Sequence, residues 1–186
     1  MKGVEKIFLV GFSGSGKSSV GKGLAKAFRA RFFDTDQMVV RKAGSSIAEI
    51  FARRGERVFR RLEREAITRV VSRKNTPAVI AVGGGAFQIR ENRELIRSAG
   101  TVVYLSCSQV QIYRRLRHMN NRPLLHSSKS EGRVLGRVVR NRIKTLLNQR
   151  RHNYKLADIT ISTTDRTVRQ TVRELVRKIG EINVFN

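Results

Sequence analysis

The chain has 186 residues, 40% of them hydrophobic, with 39 Lys+Arg against 14 Asp+Glu for a formal net charge of +25. That length and apolar content suit a single domain spanning 1–186 with a real core, and they exclude a disordered polycation. No apolar run approaches the ~20 residues that span a bilayer, and the cation excess points to anionic ligands or polyanions without choosing between them.

The first apolar run, Lys6–Val10, reads as a strand and leads into Gly11-Phe12-Ser13-Gly14-Ser15-Gly16-Lys17-Ser18. This matches G-x-x-x-x-G-K-[ST], a loop whose backbone N–H groups curl around phosphate oxygens at a helix N-terminus. Lys17 can bridge the β- and γ-phosphates and the Ser18 hydroxyl can ligate Mg²⁺. A nucleoside triphosphate is therefore the expected ligand. A short run opening into a glycine loop is not a secretory leader, so a cytoplasmic protein is expected. Val20, Leu24, Ala27 and Phe28 then share one face of a helix starting near Lys17.

Arg31–Phe33 is the second strand, followed by Asp34-Thr35-Asp36. Its carboxylates should emerge at the strand's C-terminal end, where ligands bind in open α/β sheets. Period-two geometry points Asp34 and Asp36 the same way, one serving Mg²⁺ through water and one an acceptor hydroxyl. The same pair can equally cap a helix. Ser46-x-x-Glu49 forms a capping box before Ile47, Ile50 and Phe51, and Gly55 starts the helix that carries Phe59, Leu62, Ala66 and Val70. Ala78–Val82 is the third strand and runs into Gly83-Gly84-Gly85, where bare backbone lets a ligand approach.

Thr101–Leu105 and Asp158–Ser162 are the remaining strands, and Val168, Val172, Leu175, Val176 and Ile179 stripe a last helix. Strands alternating with helices predict a parallel sheet covered on both faces. Between Tyr113 and Lys155 there are 13 Lys/Arg and one acid, Glu131, with a loop at Asn120–Gly132 and then helical spacing at Leu135, Val139, Ile143 and Leu146. The lone Cys107 excludes an internal disulfide, and the three histidines form no metal-ligand cluster.

Taken in order, Gly11–Ser18, Asp34-Thr35-Asp36, Gly55-Glu56 with Phe59-Arg60, Gly83–Gly85, Arg122-Pro123-Leu124-Leu125 and Arg150 with Tyr154 and Ala157-Asp158 closely resemble shikimate kinase. The resemblance implies a three-layer α/β/α P-loop fold with five parallel strands in order 2-3-1-4-5. It also implies substrate-binding helices at about 34–62 and a mobile lid at about 119–133. The implied reaction passes the γ-phosphoryl of ATP to the 3-hydroxyl of shikimate, with Mg²⁺, on the route through chorismate to the aromatic amino acids. Asp36, Arg60, Gly84 and Arg150 would hold shikimate, with Asp36 taking the hydroxyl proton. Gly14, Ser15, Gly16, Lys17, Ser18 and Ser19 would hold the nucleotide, Ser18 and Asp34 would serve the metal, and Arg122 would close the lid over the phosphates. Arg115 would stack on adenine and Arg166 would border it. A monomer is the family expectation.

Where the family has Arg-x-Pro-Leu-Tyr, this chain has Arg150-Arg151-His152-Asn153-Tyr154. Both arginines stay open as the substrate clamp, with the spacing to Tyr154 favouring Arg150. The long Arg122–Arg150 interval implies an extended lid or a lengthened helix. Two cationic stripes, Arg133/Arg137/Arg140/Lys144 and Arg166/Arg169/Arg173/Arg177, read as solvated faces or as weak, salt-sensitive contacts to nucleic acid. Three tyrosines and no tryptophan argue against a base-stacking platform. Alternatives to shikimate kinase are a related kinase of another polyol or sugar acid and a P-loop nucleic-acid-binding protein.

Overall fold

In strand β1 (Lys6–Val10) alternate side chains point to opposite faces, and both faces are apolar. Ile7 and Leu9 enter one core cluster while Phe8 and Val10 enter another, so the strand must lie in the middle of a sheet covered twice. The computed structural model, which describes residues 6–117 and 132–181, has that arrangement. Strands β2 (Arg31–Asp34), β3 (Ala78–Ala81), β4 (Thr101–Ser106) and β5 (Ile159–Ser162) join β1 in a parallel sheet of order β2-β3-β1-β4-β5. Ile7 pairs with Val79 on one side and Thr101 on the other. The five expected strands are all present, shifted by at most one residue at an end.

Helices α1 (Lys17–Ala27) and α7 (Val168–Glu181) cover one face, burying Leu24, Leu175 and Ile179 against Leu9 and Val103. The two helices touch closely enough that a Cβ on Gly23 would lie 2.9 Å from Val172. The other face receives Ile67 and Val70 of α3 (Ile47–Val71), Ile96 of α4 (Arg90–Ala99) and Tyr154 of α6 (Gly132–Tyr154). The chain thus leaves β1 toward one face and β3 toward the other, which opens a crevice between these neighbours at their C-terminal ends.

Helix α2 (Thr35–Ala43) falls within the expected 34–62 stretch, whereas α4 and α5 (Gln109–Leu116) have no counterpart in the sequence reading. Each is ten residues or fewer, too short for the apolar stripe to repeat convincingly. The Ser46–Glu49 capping box is formed in both directions, at 3.2 and 2.8 Å. Gly55, non-helical at φ 78°, ψ 168°, breaks α3 at a kink into two helical stretches, so a helix does begin there as expected. Only glycine adopts that conformation cheaply, and α2 with the first half of α3 therefore folds over a small separate cluster of Val39, Ile50 and Phe59. Most of the expected lid, including Arg122, lies outside the described residues. Among the described residues no helix is long and apolar enough to cross a membrane.

Gly100 leads into β4 with its Cα against β1, and a Cβ there would sit 2.2 Å from the Lys6 carbonyl oxygen. Gly100→Ala is expected to cost about 1–3 kcal/mol and lower Tm by about 3–10 °C. Gly180→Ala, on a helix with nothing within 4 Å, should leave Tm unchanged or raise it slightly; paired calorimetric scans make the comparison.

Candidate active site

The loop after β1 turns through Gly14 and Gly16, both at positive φ. Gly16 occupies the N-cap of α1 without a side-chain cap, so the first amides of the helix face the crevice. Ser15 Oγ is buried with no hydrogen-bond partner. Lys17, 9% exposed, lays its ammonium across the loop and donates to the Gly11 and Phe12 carbonyls at 2.9 and 3.0 Å. This is a cradle of donors suited to phosphate oxygens. Residues 14–19 line one side of a cavity of about 370 Å³, with Asp34, Asp36, Arg115 and Arg166 around the rest.

Asp34 takes the capping role weighed for it and also reaches the phosphate loop. Its Oδ1 accepts from the Asp36 and Gln37 amides at 3.1 and 3.3 Å, capping α2, while Oδ2 accepts from Ser18 Oγ at 2.6 Å. The period-two expectation for Asp36 is corrected, because β2 ends at Asp34 and Asp36 stands in the first turn of α2. Helical geometry, not strand alternation, brings Asp36 to the crevice. Arg115 reaches the same cavity from α5 and donates to the carbonyls of Gly14 (3.1 Å) and Thr163 (3.0 Å), tying the loop to the end of β5. Arg166 pairs with Glu174.

A second cavity of about 440 Å³ adjoins the first and shares Asp36 with it. Arg60, Glu63, Gly84, Gly85 and Arg150 line it, with Phe51 and Phe59 as its apolar wall. The three glycines after β3 are there because side chains crowd them. A Cβ on Gly83 would meet Asp36 Oδ1 at 2.6 Å and Glu63 Oε1 at 2.7 Å, and one on Gly85 would meet Arg60 at 2.9 Å. The Gly84 carbonyl accepts from Tyr154 Oη at 2.6 Å and from Arg150 at 3.1 Å. Arg150 also lies 5.3 Å over the Phe12 ring. Arg151 turns away to the opposite side of α6, beside Tyr104, so only Arg150 joins Asp36, Arg60 and Gly84.

Glu63 escaped the sequence reading. It is buried and accepts from Arg60 at 2.9 Å, while Glu56 holds the other side of the same guanidinium at 3.0 Å. A carboxylate within the buried stripe Phe59, Leu62, Ala66, three residues after an arginine, is the signal that would have found it. Burial pushes the Glu63 carboxyl above its ordinary value; Arg60 and then Arg150 pull it back, and Asp36 between them in strength raises it further. Burial likewise pushes the Tyr154 phenol up to about 12, keeping it a neutral donor to Gly84.

The donor set also bears on a metal. Ser18 Oγ and Asp34 are adjoining hard oxygens beside the phosphate cradle, and the described residues contain no group of three or more His, Cys, Asp or Glu that could cage an ion. That fits Mg²⁺ carried in on phosphates and held by one or two protein oxygens.

A shikimate kinase family model matches residues 13–180. The shikimate kinase of Chlorobium chlorochromatii is 40% identical over 173 residues, covering 93% of this chain and 90% of that relative. The enzyme of the same description from Chlorobium phaeovibrioides is 42% identical, covering 93% and 86%. Among solved structures, shikimate kinase from Acinetobacter baumannii in complex with shikimate superposes with a TM-score of 0.87 at 32% identity, covering 98% of this chain and 96% of that one.

Because Glu63 binds its proton more tightly folded than unfolded, its contribution to stability is full below about its ordinary 4.5 and is lost as pH rises through the raised value. Glu63→Gln removes that titration. The Tm difference, variant minus wild type, should therefore grow from pH 4.5 toward pH 8 in buffered scans, and a flat difference would contradict the assignment.

Proposed function

The chain belongs to the shikimate kinase family, and from that premise we propose how its residues divide the transfer of the ATP γ-phosphoryl group to the 3-hydroxyl of shikimate. Shikimate 3-phosphate, the product, lies on the route through chorismate to the aromatic amino acids. The observation that carries the reading is that Asp36 borders both cavities, one a cradle of phosphate donors and the other flanked by two arginines.

Phosphoryl transfer needs positioning and charge neutralisation more than covalent help. Residues 14–19 receive the phosphates, with Lys17 exchanging its two loop carbonyls for phosphate oxygens. Ser18 would hold Mg²⁺ with Asp34 behind it, and the ion supplies neutralisation of phosphate charge when bound. Arg60 and Arg150 clamp the substrate carboxylate, whose planar geometry suits guanidinium forks, while Gly84 leaves bare backbone at the ring. Asp36 orients the 3-hydroxyl and accepts its proton. Arg115 and Arg166 border the adenine, and Arg122 brings a further positive charge over the phosphates while water is excluded. The same reading makes the enzyme a cytoplasmic, single-domain monomer.

Coupled ADP release should respond to shikimate and not to gluconate or RNA. Asp36→Asn should lower kcat by about 10²- to 10⁴-fold while nucleotide affinity, measured by calorimetry, stays near that of the wild type. An active Asp36→Asn enzyme would remove the proton-accepting role. Arg150→Ala should raise the KM for shikimate by about 10- to 100-fold, and Arg151→Ala should leave it unchanged; the reverse pattern would transfer the clamp to Arg151.

A further inference from the structure

Helix α6 carries seven Lys or Arg and no Asp or Glu over 23 residues. Among the described residues no carboxylate forms an ion pair with any of them, whereas Arg177 of α7 pairs with Glu181 and Arg166, just before that helix, with Glu174. Like charges one turn apart, such as Arg140 and Lys144, weaken a helix that has no partner for them. One side of this helix faces a trough of about 540 Å³ against the outer end of the sheet, which shares no lining residue with either cavity described above, although Arg115 of the nucleotide cavity donates to Cys107 at its edge.

Lys144 and Arg151 of α6 and Lys155 just past its end stand along one wall, seven and four residues apart, so they span roughly 16 Å at about 1.5 Å per residue, the Lys155 amide still bonding the Arg151 carbonyl. The opposite wall presents the hydroxyls of Thr160 and Thr164, with Ser106 Oγ beside them donating to the Ile161 carbonyl at 3.2 Å, and no carboxylate lines the trough. Asp158, close by in sequence, is turned onto the Val102 amide at 2.7 Å. Tyr104 forms part of the floor, stacked on Tyr154 with ring centroids 4.9 Å apart, so one of its faces is already covered.

We propose that this trough is a second anion-binding site, taking a small ligand with two or more phosphate or carboxylate groups. The volume falls within the range of small-molecule sites, and hydroxyls opposite a row of cations are the partners that such oxygens need. A nucleic-acid strand is less suited, since the one ring at hand is stacked internally rather than offered to bases. The site lies back to back with the acceptor pocket: Arg150 enters one and Arg151 the other, and the Tyr104–Tyr154 stack joins the trough to the Gly84 carbonyl.

Inorganic tripolyphosphate is the probe, at low ionic strength and with saturating ADP filling the nucleotide cleft throughout. Calorimetry should show saturable binding, and that binding should be lost in Arg151→Gln/Lys155→Gln, a variant whose kcat and KM for shikimate stay at wild-type values. Cys107 is the chain's only cysteine and lines the trough, so its alkylation by neutral iodoacetamide reports where the probe sits. For a mutually exclusive occupant, the rate should fall about tenfold at ten times Kd. Absence of heat, undiminished binding to the double variant, or binding without protection of Cys107 would each overturn the proposal. So would protection by a short single-stranded oligonucleotide in the absence of any by tripolyphosphate.

Discussion

The carboxylate of Asp34 fixes the relation between the two halves of the site. One oxygen accepts from the Ser18 hydroxyl in the first turn of α1, which closes the phosphate cradle, and the other accepts from the Asp36 and Gln37 amides of α2. The cradle and the acceptor side are therefore registered to each other through a single side chain at the end of β2. Asp36, two residues later and in the first turn of the helix so capped, has no freedom to stand elsewhere than at the meeting of the cavities. A capping interaction of this kind contributes about 1 kcal/mol to stability, yet here its geometric consequence matters more than its energy.

The acceptor pocket is assembled by mutual exclusion around bare backbone. Gly83, Gly84 and Gly85 lie so close to Asp36, Glu63, Ser13 and Arg60 that any side chain there would displace one of them. Arg60 is held on both flanks by Glu56 and Glu63, and Arg150 by a carbonyl and an aromatic face. Two guanidinium groups so restrained lose little further freedom when they meet a carboxylate, which is the advantage of preorganisation. The buried Glu63 lowers stability at neutral pH as the cost of holding Arg60 in place.

Much of this was legible in the residues themselves. The strands announced themselves because a doubly covered parallel sheet needs short, continuous apolar runs, and Ala78–Ala81 and Lys6–Val10 are such runs. The phosphate loop was legible because its glycines and lysine sit next to one another in the chain. What stayed hidden depends on contacts distant in sequence or on short elements. Asp36 was placed correctly for the wrong geometric reason, since nothing local shows that β2 stops at Asp34. Glu63 belongs to no motif and is singled out only by its burial, and Arg150, favoured by its spacing to Tyr154, parts from Arg151 once α6 is seen to divide two cavities. The net charge of +25 divides in the same way, a few cations at the site and a dense row along α6 with no ion pair among the described residues.

The central claim is that Asp36 joins a nucleotide cleft to an acceptor pocket so that the phosphoryl group passes to a substrate hydroxyl and not to water. A single turnover of γ-labelled ATP, with products resolved by phosphorus NMR, tests it most directly. The account expects the label on the 3-hydroxyl of shikimate, with inorganic phosphate a minor product that does not grow when shikimate is added. Label released as inorganic phosphate at the same rate with and without shikimate would contradict it.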